Sequence, residues 1–465
     1  MSHHVAGFEL FDRRELLRRC ACAALGGAGL AAFGRLELLQ AAAAAQGPYT
    51  DYKALVCVFL FGGNDAFNMV IPRSTTEHAE YAAARQALAV PRADILPVAP
   101  LNAIPGQVGF HPGCPELASL FDAGQLGVVA NVGTLITPVT RADYLARTAA
   151  LPPQLFSHSD QANQWQTARI GVRGDTSGWC GRVADVLETA GLVQDLAVNV
   201  SINGANAQQT GRSTLAYNVN SSGVVRLRGI DATSPRNASR QAAFNALLDA
   251  PPDHPLAREY VAVQRRAIAN AARITDALDQ LPPLQTTFPA QSSVASQLAM
   301  VARMIGIRTT LGLARQVFFV GMGGWDTHGE QATRHPALLA QLSQSLDAFQ
   351  RALGELGVAD SVVTFTGSDF GRTLTSNGDG SDHGWGQHCL VMGQPVLGRR
   401  IYGQLPTLAI DGPDDTRGGR LIPTTGVDEY AGVLARWFGV TLAELPTVFP
   451  NIGNFPARAD LGFLP

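Results

Sequence analysis

A chain of 465 residues, 46% of them hydrophobic, carries more apolar side chain than one small core needs. It is expected to fold as one elaborated domain or as a domain with an inserted lobe. Thirty-five basic against thirty-eight acidic residues leave a formal charge of −3, which offers no basic surface to a polyanion and excludes nucleic acid as an expected partner.

The chain opens on Asp12-Arg13-Arg14-Glu15-Leu16-Leu17-Arg18, a twin-arginine pattern, followed by an alanine- and glycine-rich run from Cys20 to Phe33 and the small residues Ala41 to Ala45. Residues 1–46 read as an export signal, placing the protein in the periplasm or outside the cell. The apolar run is shorter than the roughly 20 residues a spanning helix needs, so membrane contact is expected only through this signal. Lys53 is the only lysine, and arginine carries nearly all the positive charge, which suits bidentate oxyanion contacts but reads first as a record of genome composition. Beyond the signal stand Cys57, Cys114, Cys180 and Cys389, too widely spaced for a zinc ribbon, with a pairing that sequence does not give. Cys57 lies inside an apolar run and reads as a buried free thiol.

That run, Lys53 to Leu60, ends at Phe61-Gly62-Gly63-Asn64-Asp65, as a strand buried on both faces ends in a polar loop. Leu126 to Asn131, Arg315 to Val320 and Ser361 to Thr366 repeat the pattern. Helical periodicity appears at Cys114 to Ala123, at Gln161 to Arg169 and at Pro336 to Leu356, where Leu338, Leu339, Leu342, Leu346 and Phe349 share a stripe. Helix and strand in alternation predict an α/β fold with a mostly parallel central sheet and helices on both faces. Between Gly204 and Asp231 the chain turns rich in Asn, Gly, Ser and Thr, and a helical stretch from Ser239 to Leu281 follows. An inserted lobe is expected near 200–290, as a selectivity element or as a plain embellishment.

Ligands of such sheets bind beyond the carboxyl ends of the strands. Three of those ends carry acids, Asp65, Asp326 and Asp369, and Asp326 has His328 two residues on, so both can face the same way in extended chain. A second loop, Ser381 to His388, adds Asp382, His383 and His388. Four carboxylates and three histidines suit zinc or manganese, one or two ions, better than calcium's all-oxygen shell. The competing reading makes each of them a turn or cap residue. Ser157 precedes a helix and reads either as a nucleophile beside an anion-favouring helix start or as an N-cap, a choice Ser159 shares. Arg372 reads as a clamp for a phosphate or sulfate oxygen or as the partner of a loop acid. His111 and His158 stand either as supports of the site or at the surface.

The segments FLFGGNDAFNMVIP, LFSHSDQANQWQT, GWCGR, GGWDTH, TGSDFGRT, SDHGWGQH, RIYG and YAGVLARWFGV span nearly all of the chain after Tyr52. They resemble the twin-arginine-exported family known as domain of unknown function 1501, of the alkaline-phosphatase-like superfamily. The resemblance implies a three-layer sandwich over residues 47–465 with metal ions at strand ends and a hydroxyl nucleophile at a helix start. By motif, Asp65 resembles the first-strand metal aspartate, Asp326 with His328 one Asp-His metal pair, Asp369 the acid of the other site, and His383 or His388 its histidine. Two departures, the short Asp326–His328 spacing and Phe370 where a histidine stands next to the acid, imply that one metal site is altered or empty. The implied activity is metal-dependent hydrolysis of a small anionic phosphate or sulfate ester; the alternative is a non-catalytic exported binding or cell-envelope protein.

Overall fold

A computed structural model describes residues 49–465 apart from 173, 195, 226–228, 230–233, 251–253 and 457–458. The chain divides into Met1–Thr50 and a compact unit Asp51–Pro465, and the export signal read at residues 1–46 lies outside the described residues. The strands of the main sheet are β1 (Lys53–Leu60), β2 (Leu126–Gly133), β3 (Asn199–Ser201), β4 (Tyr217–Asn220) and β5 (Gly223–Val224), then β6 (Arg315–Met322), β7 (Val362–Ser368), β8 (Gln387–Met392), β9 (Ile401–Tyr402) and β10 (Thr425–Gly426). Their order is β9-β2-β8-β7-β1-β6-β3-β4-β5, with β10 also beside β2. Pairing is parallel from β7 through β1, β6 and β3 to β4 and at the β2 pairs with β9 and β10. Only β8, wedged between β7 and β2, and the terminal β5 run antiparallel to their neighbours. The sheet is thus mixed but mostly parallel, as expected.

Strand periodicity places helices on both faces. Ala54, Val56, Val58 and Leu60 of β1 enter a core with Leu117, Leu298 and Leu342 from the helices Pro115–Asp122, Ser293–Gly306 and Gln331–Glu355. The alternate residues Cys57 and Phe59 face Trp165, Trp179 and Tyr430 from the helices His158–Thr167, Trp179–Thr189 and Val427–Phe438. A strand with no solvent-facing side has no polar alternation, which explains the unbroken apolar reading of β1. The long helix begins at Gln331, five residues before the proline that reads as its start, because Pro336 sits in its second turn, where a missing N–H removes a single bond. The span 200–290 contributes β4 and β5 to the sheet edge and two helices, Pro235–Asp249 and Pro255–Gln280, whose buried residues are confined to Ile274, Ala277 and Leu278. Cys57, Cys114, Cys180 and Cys389 are all free and buried. Gln208 joins two of them, accepting from Cys57 Sγ at 3.5 Å and donating to Cys180 Sγ at 3.3 Å. No described helix is long and apolar enough to cross a membrane.

One buried acid gives the fold a pH dependence. Asp428, in the first turn of the helix Val427–Phe438, is fully buried, and burial pushes its carboxyl up to about 8 from an ordinary 3.8, against the Arg182 charge. The folded protein therefore keeps a proton that the unfolded chain has lost. This stabilisation is complete below about pH 4 and disappears as pH rises through about 8, at about 1.4 kcal/mol per pH unit between them. Asp428→Asn is expected to remove that slope, so thermal melts at pH 5 and pH 8 should show the variant gaining on the wild type by several degrees at the higher pH. Parallel melting temperatures would mean that Asp428 is ionised in the native state.

Candidate metal centre

The three acid-bearing loops leave the sheet side by side because their strands end flush: Leu60 stands opposite Ser368 on one side and Met322 on the other. Gly62 lets the first and second loops touch. It adopts φ +116°, and a Cβ there would lie 2.4 Å from the backbone nitrogen of Asp326, so no other residue fits. Its N–H donates to Asp369 Oδ2 at 3.1 Å. A two-stranded hairpin, Arg372–Ser376 with Ser381–His383, follows β7 and sets Arg372 opposite His383.

Four side chains converge above this rim. His328 Nε2 lies 2.8 Å from His383 Nε2 and 3.2 Å from Asp326 Oδ1, His383 Nε2 lies 3.7 Å from Asp326 Oδ1, and His158 Nε2 lies 3.5 Å from Asp326 Oδ2. His158, Asp326 and His383 bring one donor atom each within 4.8 Å of one another. His158 is the first residue of the helix His158–Thr167, so its side chain swings back past the helix start toward the strand ends.

The second nitrogen of each ring fixes what the first can do. His383 Nδ1 is 2.6 Å from the Phe156 carbonyl oxygen, which accepts only, so that nitrogen carries the proton. His158 Nδ1 faces Asp369 Oδ2 at 2.7 Å and His328 Nδ1 faces Asp382 Oδ1 at 3.2 Å, so both donate to carboxylates. All three Nε2 atoms then present lone pairs inward, beside a carboxylate. His158 Nε2 is buried with no hydrogen-bond partner. His328 Nε2 and His383 Nε2, 2.8 Å apart, share either a proton or a cation. The Nδ1–H to carboxylate or carbonyl bond is also the arrangement that orients a histidine toward a metal. Three of the donors, from His158, Asp326 and His383, lie mutually within 4.8 Å, and His328 stands beside Asp326 and His383 without belonging to that mutual group. The donor set fits one divalent ion.

Surrounding groups keep the set in place. Phe370 packs against both His158 and His383, with ring centroids 4.8 and 4.6 Å apart. Arg372, its side chain inaccessible, donates to Asp326 Oδ1 at 2.8 Å and to the Gly62 carbonyl at 3.2 Å. Burial alone would raise the Asp326 carboxyl, but Arg372 and the nearby imidazoles outweigh it and hold the acid below its ordinary value. Burial raises Asp369 despite His158 and lowers His383 despite its bond to Phe156. A hydrogen bond from Asn377, with His328 opposing a smaller burial effect, lowers Asp382.

The structure sorts the sequence candidates into three groups. Asp326, His328 and His383 meet as expected. Asp369 and Asp382 stand one step back, each holding an imidazole of the set. Asp65, His388 and Arg372 require correction as direct ligands or as a substrate clamp. Asp65 is wholly buried and paired with Arg85, with Gln331 donating to the same oxygen, so an arginine already neutralises the acid that the resemblance gives to an ion. Arg85 and Gln331 both meet Oδ2, while Oδ1 is buried without a hydrogen-bond partner. His388 is buried on β8, where its Nδ1 accepts from the Asn131 N–H at 3.1 Å and its ring meets Phe67 edge-on; burial lowers it to about 4. Arg372 spends its donors on Asp326, Gly62 and Ser381 and therefore positions Asp326. Ser157 is the residue before the helix, and its hydroxyl donates to Asp160 Oδ2 at 2.6 Å. The residue that sequence undervalues is His158, whose only signal is its place in the same LFSHSD segment. His111 lies elsewhere, its Nδ1 accepting from the Gly113 N–H at 2.9 Å.

Fold and site together define an α/β protein with a histidine-rich side-chain cluster, one possible metal site, at the carboxyl rim of a mostly parallel sheet. The chain belongs to the family described as protein of unknown function (DUF1501), whose profile matches residues 52–440. No curated protein matches it. Among solved structures it is similar to a sulfatase from Pseudoalteromonas sp., at 9% identity over 89% of this chain and 72% of that one, TM-score 0.35. It is also similar to a protein in the alkaline phosphatase superfamily from Vibrio parahaemolyticus, at 9% identity over 84% and 67%, TM-score 0.34. A third is the lipoteichoic acid synthase LtaP from Listeria monocytogenes, at 9% identity over 84% and 73%, TM-score 0.31. Overlaps this loose carry no argument about activity.

Proposed function

We propose that the protein is an exported, metal-dependent hydrolase of phosphate or sulfate esters, with one divalent ion held by His158, Asp326, His328 and His383. The observation that carries this reading is the convergence of three inward-facing Nε2 lone pairs on one carboxylate. Three nitrogens and one oxygen suit zinc better than manganese, which prefers more oxygen. When bound, such an ion polarises an ester oxygen and eases deprotonation of a nucleophile.

The chain's own groups supply the rest. Asp369 and Asp382 keep the protons of His158 and His328 on the outer nitrogens, and Arg372 and Phe370 fix the donors. Ser157, next in the chain to His158 and bonded to Asp160, is the nucleophile of this reading. Asp160 accepts the serine proton, the serine oxygen bonds to phosphorus or sulfur as the ester oxygen leaves and takes a proton from solvent, and water then releases the anion and restores the serine. The twin-arginine pattern supports an extracytoplasmic site of action. The Arg85–Asp65 pair favours the alternative, a non-catalytic exported binding or cell-envelope protein, since it removes one of two ions from the hydrolytic scheme.

Metal analysis of protein incubated with zinc or manganese, followed by assays on 4-nitrophenyl phosphate and 4-nitrophenyl sulfate, tests the reading. One ion per chain and chelator-sensitive turnover are expected. A folded protein that takes up no metal overturns the site; one that binds metal yet turns over neither ester supports the non-catalytic alternative.

A further inference from the structure

Beside the metal centre lies a cleft of about 640 Å³ whose charged lining is Arg147, Arg417 and Arg420 and whose walls include Phe156, Tyr144 and Leu151. It adjoins the centre through two residues. Phe156 accepts the His383 Nδ1 proton with its backbone oxygen, and Arg420 Nε donates to the His383 carbonyl at 3.1 Å while its guanidinium lies 5.0 Å from the Phe156 ring centre. The wall between cleft and centre is therefore one ligand histidine and its two supports.

The arginines are held ready and unneutralised. Asp415, fully buried, accepts N–H bonds from Asp411, Arg417 and Gly419 at 2.9, 2.9 and 3.0 Å, which fixes the loop carrying Arg417 and Arg420. Arg147 projects from the left-handed residue that ends the helix Arg141–Ala146. Among the described residues none of the three forms an ion pair with a carboxylate, although Arg420 lowers Asp382 from a distance and Arg141, close by, is taken by Asp411. On a chain of net charge −3, three cations gathered without acids in a cleft with aromatic walls form a local anion trap.

We propose that this cleft is the leaving-group subsite and that the substrate is an ester whose alcohol part is a ring bearing its own anionic group. The ring lies along Phe156 and Tyr144 while the second anion meets Arg147 and Arg417. This deepens the hydrolase reading and rests on it for the word leaving group, but binding in the cleft does not require turnover.

Two measurements separate the ideas. The first is fluorescence titration of the metal-loaded protein with naphthalene-1,5-disulfonate and with naphthalene-1-sulfonate. The second is kcat/KM for 3-carboxyphenyl phosphate over that for phenyl phosphate, or for the matching sulfates. The wild type should bind the disulfonate more tightly and prefer the carboxylated ester. The double variant Arg147→Gln/Arg417→Gln should lose about tenfold in disulfonate affinity and in the kcat/KM ratio, one charge-assisted contact's worth, while Arg351→Gln, on a remote exposed helix face, shifts neither. Arg420 is spared because it also holds His383. Disulfonate affinity and ester ratio that survive the double variant overturn the subsite. Arginine-dependent disulfonate binding by a protein that hydrolyses nothing upholds the cleft and defeats the hydrolase; turnover without either arginine effect does the reverse.

Discussion

His158→Ala is expected to weaken metal binding sharply while leaving the chain folded. The side chain is about one-third exposed and adds nothing to the apolar core, so truncation opens no cavity. It removes one of four donors and frees Asp369, whose buried Oδ1 already lacks a partner. A full four-donor site is worth about 10–16 kcal/mol, so losing one donor should cost roughly 10²-fold or more in affinity. Calorimetric titration with zinc should show that loss with an unchanged far-ultraviolet spectrum. Ser157→Ala, by contrast, should keep the metal and lose turnover. If His158→Ala binds zinc like the wild type, the ligand assignment fails even should Ser157→Ala be inactive.

Arg85→Leu should give the largest stability change. Arg85 and Asp65 are both fully inaccessible, and the guanidinium also donates to Asn68 Oδ1 at 2.9 Å and to the Thr373 carbonyl at 2.9 Å. Removing it strands a buried carboxylate, a change that costs about 3–5 kcal/mol. Asp65→Asn/Arg85→Leu, which leaves no buried charge, should recover most of the loss in urea unfolding. Metal content bears on the same pair: Asp65→Asn should still hold one ion per chain. A fall to zero would return Asp65 to the ligand set, and a single Arg85→Leu loss below about 1 kcal/mol would mean that water reaches the pair.

Much of the scaffold was legible because burial on both faces writes an uninterrupted apolar run. β1 matches its expected limits, and β2, β6 and β7 extend the expected runs by two residues toward the site. Asp326, His328 and His383 were legible because each stands just past such a run or in a glycine-punctuated loop. His158 was not, since a histidine at a helix start has the same local sequence whether it faces solvent or a strand end. His388 misled for a related reason: it lies five residues after His383, but β8 turns it into the sheet while the hairpin holds His383 outside. Arg85 could not be anticipated as the partner of Asp65, because a basic residue in a helix's last turn is ordinary and only the tertiary packing shows that its head group is dry. The cleft arginines are invisible as a group in sequence, since Arg147 stands far along the chain from Arg417 and Arg420.

The donors come from three places that adjoin only in the finished molecule: a helix start, the segment after β6, and the hairpin after β7, with β1 between those two strands. A cation fastened there would act as a clasp across the open end of the sheet. It would not seed assembly as an ion does in a finger of thirty residues, and it would be loaded only onto chains that have already taken shape. Every bound ion would then certify a completed fold.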